Sequence, residues 1–414
     1  MSEKNNKYTP NLRFPEFSGE WEEKTLGEVC DSILTGFPFK GEDITDDASG
    51  HPILRAFSIG EGIIRHGKDY DKYYPYDAEK LKKYEVRKSD IVISMDGSVG
   101  KNIAMISEKE ERNLLIQRVA RLRITDYPIH LIFQQIISQR FKDYAAGEKK
   151  GAVIAHISQK QIELFPIYIP NSPAEQQKIA SCLSTMDDLI AAQAEKVEAL
   201  KEKKTGLMQQ LFPQPGETTP RLRFPEFTGE WVEKNINDCF EFKQGVQCPV
   251  DLQALQKKDG YIRFIRIIDL TQSGEPPRYI ADPGLAHHIC KEDLFMVRYG
   301  SPGLVGYGYE GVIANNLFRL LPKFDMCTKF FKDILTALHK NIAALCGIGA
   351  LPAINFSTLG LLRMSLPPTI AEQEKIADCL SALDDQIAAE TEKLTALKDY
   401  NKGLMQQLFP QPAK

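Results

Sequence analysis

The sequence predicts an α+β fold. Two mixed α/β domains alternate with two long helices that pair with one another as a coiled coil, and the whole is an internal repeat. Three observations predict it. LRFPEFSGEW at Leu12–Trp21 returns as LRFPEFTGEW at Leu222–Trp231, nine of ten residues the same. AEQQKIASCLSTMDDLIAAQAEKVEALKEKKTGLMQQLFPQP from Ala174 matches AEQEKIADCLSALDDQIAAETEKLTALKDYNKGLMQQLFPQP from Ala371 without an insertion. Between these markers the halves differ, and short β-rich runs there alternate with helical patches.

A chain of 414 residues is too long for one ordinary core. The offset between the halves is 210 at the opening motif (Arg13 to Arg223). It is 203 where SDIVISMDGSVG (89–100) meets EDLFMVRYGSPG (292–303), and 197 in the helices. Length changes are therefore confined to the middles. In chain order the elements are a lead-in with the first domain (1–172), a central helix (173–213), the second domain (214–369) and a C-terminal helix (370–414).

In the domains, Ile91–Ser94, Ile103–Ile106, Val119–Ile124, Tyr261–Ile268, Leu294–Val297 and Val312–Leu321 read as strands. Leu131–Tyr144 and Lys329–Leu345 read as helical. The first long helix carries Ile179, Leu183, Met186, Ile190, Val197, Leu200, Leu207 and Leu211 at spacings of four and three, interrupted at Gln193 and Lys204. The second carries Ile376, Leu380, Leu383, Ile387, Leu394, Leu397, Leu404 and Leu408, interrupted at Glu390 and Asn401. These are heptad seams, and each has a partner in the same chain. Pro173 precedes the first and Pro213 closes it. Some 35 residues at about 1.5 Å each give a helix of about 50 Å.

Composition excludes several classes. MSEKNNKY is no secretory signal, and no window approaches a membrane span. Eight cysteines without a C-x-x-C pair read as reduced thiols in a cytoplasmic protein and argue against zinc. The net charge of −4 argues against a free-standing nucleic-acid binder but allows an uneven distribution. Residues 174–208 hold five Lys and six Asp/Glu, and 371–405 hold four Lys and eight Asp/Glu, so these segments carry −1 and −4. About +1 is left for the rest, in local clusters: Arg118, Arg121 and Arg123; Lys149 and Lys150; Arg263 and Arg266.

No catalytic motif survives inspection. DGSVGKN at Asp96–Asn102 puts Met95 where a phosphate loop needs glycine and Asn102 where it needs a hydroxyl. GYGYEG at Gly306–Gly311 fits G-x-G-x-x-G, but a strand-like run follows where a dinucleotide site needs a helix, so it reads as a glycine-rich hairpin. His287 and His288 have no nearby residues to complete a metal set, and no metal site is expected. There is no H-E-x-x-H, no G-x-S-x-G and no N/D-P-P-Y/F.

The arrangement resembles the DNA-specificity (S) subunit of type I restriction-modification systems. Each half opens with W-x-E-K (Trp21–Lys24, Trp231–Lys234). Each carries D-[IL]-x-x-x-x-x-G-S-x-G (Asp90–Gly100, Asp293–Gly303) and leaves through Ile169-Pro170 or Leu366-Pro367 into A-E-Q-x-K-I. The second half departs by placing Tyr299 where the first has Asp96. The resemblance implies two target recognition domains, each reading one half of a bipartite DNA site, with the helices as a spacer. Two methyltransferase (M) subunits would bind the chain and methylate adenine, one on each strand, as part of a defence system. Restriction (R) subunits would join through the complex. The chain itself would be no enzyme and bind no cofactor. S-adenosylmethionine, ATP and Mg2+ would be used by the partners. An antiparallel coiled coil puts the domains at opposite ends about an approximate two-fold axis, the symmetry of the DNA strands.

Base readers should be Arg, Lys, Asn, Gln or Ser on loops beside rigid strands. The candidates are Lys40, Arg55, Ser98, Lys101, Asn102, Lys149 and Lys150 in the first half. In the second they are Lys243, Gln244, Gln247, Arg266, Arg298, Ser301 and Asn315. Arg118, Arg121 and Arg123 read equally as lining one strand face. The competing class is a protein-only coiled-coil scaffold without DNA readout, which the acidic pI favours.

Overall fold

The computed structural model describes residues 8–97, 100–147, 156–214, 217–272, 274–346 and 353–410. The chain divides into two compact units. One runs to Ala194 and resumes at Lys393; the other is Glu195–Glu392. Each holds one domain and one end of each long helix, Pro173–Leu211 and Ile370–Leu408.

In the first unit the main sheet is antiparallel, in the order Ser32–Thr35, Val119–Arg123, Ile91–Ser94, Ile103–Met105. A second sheet orders Lys72–Tyr74, His51–Leu54 and Leu114–Leu115, the last pair parallel. The IVIS run at Ile91–Ser94 is buried throughout, with three apolar residues in a row, because both faces are covered. Ile91 and Ile93 point to a core shared with the helix Ile129–Ile136, and Val92 points to a smaller cluster with Leu54, Ile59 and Leu115.

The second unit repeats this connectivity. Its main sheet orders Phe240–Gln244, Leu317–Pro322, Leu294–Val297 and Val305–Gly306. Its second sheet orders Arg278–Ala281, Tyr261–Ile265, Gly311–Ile313 and His288–Ile289. Leu294 and Met296 face the core that holds Phe330 and Phe331 of the helix Thr328–Ala337, while Phe295 and Val297 face the other cluster.

Each domain is closed at its base by its own two ends. Trp21–Thr25 pairs antiparallel with Pro166–Pro170, and Val232–Asn235 with Arg363–Leu366. The two repeated motifs then meet. Arg13 donates from Nε and Nη2 to the buried Glu175 carboxylate, both at 2.7 Å. Arg223 does the same to Glu372 at 2.7 and 2.9 Å. Lys178 lies over the Phe14 ring and pairs with Glu16, and Lys375 lies over Phe224 and pairs with Glu226. Gln176 Nε2 donates to the Pro170 carbonyl. Trp231 Nε1 donates to Glu372 at 3.2 Å, whereas the buried Trp21 Nε1 has no partner among the described residues. The R-F-P-E-F and A-E-Q-x-K motifs are thus two halves of one lock, which holds the lead-in against the start of a long helix.

The helices pair antiparallel within each unit. Ile179, Ala180 and Leu183 share a core with Leu404, Met405 and Leu408. Leu207, Met208 and Leu211 share one with Ile376, Ala377 and Leu380. The polar residues that interrupt the seams face partners. Asn401 Nδ2 donates to Asp187 at 3.5 Å, and Lys204 donates to Asp384 at 2.5 Å. Glu390 accepts from Lys196. A buried polar residue in a coiled-coil seam fixes register, because any slip strands it among leucines.

Asp187 and Asp384 occupy equivalent places with opposite electrostatics. Burial pushes the Asp187 carboxyl above its ordinary value, opposed by His130 and by bonds from the neutral Gln134 and Asn401. Burial acts on Asp384 too, but hydrogen bonds from Lys204 and Lys332 outweigh it and hold the carboxyl below its ordinary value.

Three elements differ from the sequence reading. Val312–Leu321 is two strands in two sheets, because Asn315 and Asn316 form a turn closed by Leu317 N donating to Ala314 O. Ile267–Thr271 leaves the strand as a helical turn capped by Asp269. Gly306–Gly311 is not a hairpin but a crossing from one sheet to the other.

Two predictions follow from the lock and the seam. Glu175→Ala leaves Arg13 unpaired at a mostly buried site, so stability should fall by about 3–5 kcal/mol, read as a lower urea midpoint. A loss under about 1 kcal/mol would contradict the lock. The seam should respond to acid in opposite senses. Asp384, held low, stabilises above the unfolded carboxylate value of about 4, and this is lost as pH falls through its folded value. Asp187, held high, costs stability when ionised, and this cost disappears as pH falls through its raised value. From pH 7 to pH 3, hydrogen-exchange protection relative to the respective Asp→Asn variants should drop around residues 376–390 and rise around 179–190. Parallel changes would refute the assignment.

Candidate nucleic-acid interface

In each domain the segments that follow three strands are drawn together where the two sheets meet. In the first, Phe37 N donates to Leu115 O, Ile116 N to Leu54 O and Gln117 N to Phe37 O. This gathers residues 36–40, Arg55 and 116–118. In the second, Val246 N donates to Ile313 O, Ala314 N to Ile265 O and Gly245 N to Leu317 O. This gathers 244–247, Arg266 and 314–316. The approach needs glycine, since a Cβ on Gly36 or Gly245 would lie 2.2 Å from a backbone carbonyl oxygen.

The sequence candidates fall into three groups. Lys40 is exposed, Arg55 is half-buried before a short helix, and Lys101 and Asn102 sit in the turn before Ile103–Met105. In the second domain Gln247 is exposed, and Ser301 is half-buried in the equivalent turn. A second group is engaged inside the domain. Arg266 bonds both oxygens of Asp269 and the Pro276 carbonyl. Arg298 bonds Gln244 Oε1 and the Ile354 carbonyl and lies over Phe356. Gln244 in turn donates to Asn315 O, and Lys243 donates to Ala286 O. Ser98, Lys149 and Lys150 lie outside the described residues.

Of the basic strand, Arg121 and Arg123 do share a face. Arg123 is bidentate to the buried Asp90 at 2.8 and 2.7 Å, and Arg121 donates to the Lys83 and Glu85 carbonyls. The motif aspartate is therefore structural: it also accepts from Arg87 N, as Asp293 does from Cys290 N. Arg118 is different, and the sequence list missed it. It stands in the turn before the strand, with its side chain 60% exposed and bonded to Asp96. Its backbone is left-handed, φ 69°, as it is at Ser89 and Arg112, and no composition signal carries that.

Nothing here is arranged for covalent chemistry. Burial pushes the Cys30 thiol up to about 12 and Cys239 to about 11, so neither supplies a thiolate. His288 pairs with Asp282 at 2.7 Å. Among the described residues no group of His, Cys, Asp or Glu could hold a metal, and no helix is long and apolar enough to cross a membrane.

The family model for the type I restriction modification DNA specificity domain matches twice, at residues 18–202 and 228–399. Two relatives come from Methanocaldococcus jannaschii. The putative type I restriction enzyme MjaX specificity subunit is 26% identical over 98% of this chain and 96% of its own. The MjaVIII specificity subunit is 27% identical over 98% and 95%. Among solved structures, the S subunit of the type I restriction-modification system of M. genitalium superposes with a TM-score of 0.62 at 17% identity, over 98% of this chain and all of that one. A chain from the structural study of complex assembly and conformational transition of the type I R-M system gives 0.52 at 17%, over 95% and 98%. Two matched domains spanning most of its length make this chain a member of the type I restriction-modification specificity family, a non-catalytic subunit built on DNA-recognition domains.

Proposed function

We propose that each recognition domain reads one half of a bipartite DNA site while the repeated locks and helix ends present like surfaces to two copies of a methyltransferase subunit. Restriction subunits join through that complex. The observation that carries this reading is where the two halves agree. They share the lock, the seam and the strand frame, and they differ in side chains at the gathered strand ends. Equal partners explain the first pattern and unequal half-sites the second.

The near-neutral domains leave much of the phosphate affinity to the partners, since affinity for the DNA backbone scales with the number of charges neutralised. Lys40, Arg55, Lys101, Asn102 and Gln247 are the sequence candidates best placed to reach a groove. Arg266, Arg298, Gln244 and Lys243 serve first to hold the loops that carry them. The chain needs no cofactor in this role. S-adenosylmethionine, ATP and Mg2+ belong to the partner subunits, and the complex works in the cytoplasm, where the DNA is.

The test is co-expression with the cognate methyltransferase and single-molecule mapping of N6-methyladenine. The expected result is a split motif, two specific parts about a fixed unspecific gap, with one methylated adenine on each strand. Methylation that does not depend on this chain would instead favour a scaffold that binds only proteins.

A further inference from the structure

The Asp96–Arg118–His156 cluster stands at the same place in the first domain as Tyr299, Asn316 and Ala353 in the second. The backbone frame there is identical. Met95 N donates to Arg118 O and Arg298 N to Asn316 O, both at 2.9 Å. Ile157 N donates to Met95 O, and Ile354 N to Arg298 O. Asp96 bridges His156 as Tyr299 bridges Ala353. Only the side chains have changed, from an aspartate, an arginine and a histidine to a tyrosine, an asparagine and an alanine.

Arg118 is the third residue of a turn closed by Val119 N donating to Ile116 O at 3.2 Å. Its φ of 69° is the conformation that glycine or asparagine usually fills. The exposed Arg112 shares this backbone, φ 68°, so strain alone does not single Arg118 out; its fixed contact with Asp96 does. Its ion pair does not repay that strain, since exposed pairs contribute little. What the pair does is aim the guanidinium. Asp96 accepts from Arg118 Nη1 at 2.9 Å and is fixed from behind by His156 Nδ1 at 2.7 Å. Among the described residues nothing accepts from Nε or Nη2. That edge offers two parallel N–H donors, the complement of guanine O6 and N7 in the major groove.

We propose that Arg118 reads a guanine in the half-site of the first domain, with Asp96 and His156 as positioning residues. This rests on the DNA-reading function above. Phosphate contact is the rival use of an exposed arginine, and it carries no sequence information.

The experiment maps N6-methyladenine for the full complex carrying wild-type chain, Arg118→Gly, Arg118→Lys or Asp96→Asn. Arg118→Gly relieves the backbone strain, so a purely structural role would leave it as good or better. The expected result is that one base position of one half-motif, a guanine in wild type, relaxes by about tenfold or more in discrimination, with the other half unchanged. Arg118→Lys keeps the charge but not the planar fork, so it should also relax that position, and Asp96→Asn should do so partially. If Arg118→Gly abolishes methylation, the lysine variant decides. An unchanged motif, or uniformly weaker methylation across all positions as a phosphate contact would give, overturns the proposal. A wild-type chain with no split motif overturns instead the reading beneath it, and the proposal falls with it.

Discussion

A bidentate arginine–glutamate pair, made twice, holds this molecule in its form. Arg13 on Glu175 and Arg223 on Glu372 join segments more than a hundred residues apart in sequence. The carboxylates are almost fully buried, and such a group is tolerated only when its charge and hydrogen-bonding capacity are met. Both arginines meet them by donating from two nitrogens. Around that contact the entry strand pairs with the exit strand, and in the second domain the tryptophan donates to the same carboxylate. The lock explains why the edge motifs recur almost letter for letter while the loops beyond them do not.

The helix pair shows how repetition is kept without identity. The apolar seam residues are conserved in kind between the halves, yet the polar breaks differ: Gln193 against Glu390, and Lys204 against Asn401. The aspartate opposite the second pair is common to both. It is paired with lysines in one unit and with amides in the other, which drives its titration in opposite directions. The same backbone therefore gives this aspartate charged partners in one unit and neutral amides in the other. Either kind penalises a shifted register.

Much of this was legible in the sequence. The α+β class follows from short β-rich runs alternating with helical patches, and the two long helices from a heptad period sustained over several turns, the strongest local signal a chain can carry. The central strands Ile91–Ser94 and Leu294–Val297 were legible as well, because burial on both faces makes them almost entirely apolar. Errors arose where long-range context decides. VIANNLFRLL looks like one strand until the Asn315–Asn316 turn sends its halves to different sheets. The contacts that Arg298 makes with Phe356 and Gln244 were equally out of reach of a local reading. The clamp was invisible for the same reason: nothing local pairs Arg13 with a carboxylate 162 residues away. Arg118 was seen only as part of a basic cluster, because its distinction, the contact with Asp96, is not a local signal.

In the proposed function, sequence discrimination belongs to the two middles separately and assembly to the repeated edges. Exchanging residues 25–170 for another recognition domain, with Arg13, Glu175 and both helices retained, tests that division most directly. Mapping N6-methyladenine before and after the exchange should show one half of the split motif replaced, the other half intact and the gap unchanged. A motif altered in both halves, or not altered at all, would contradict the claim that the domains read independently.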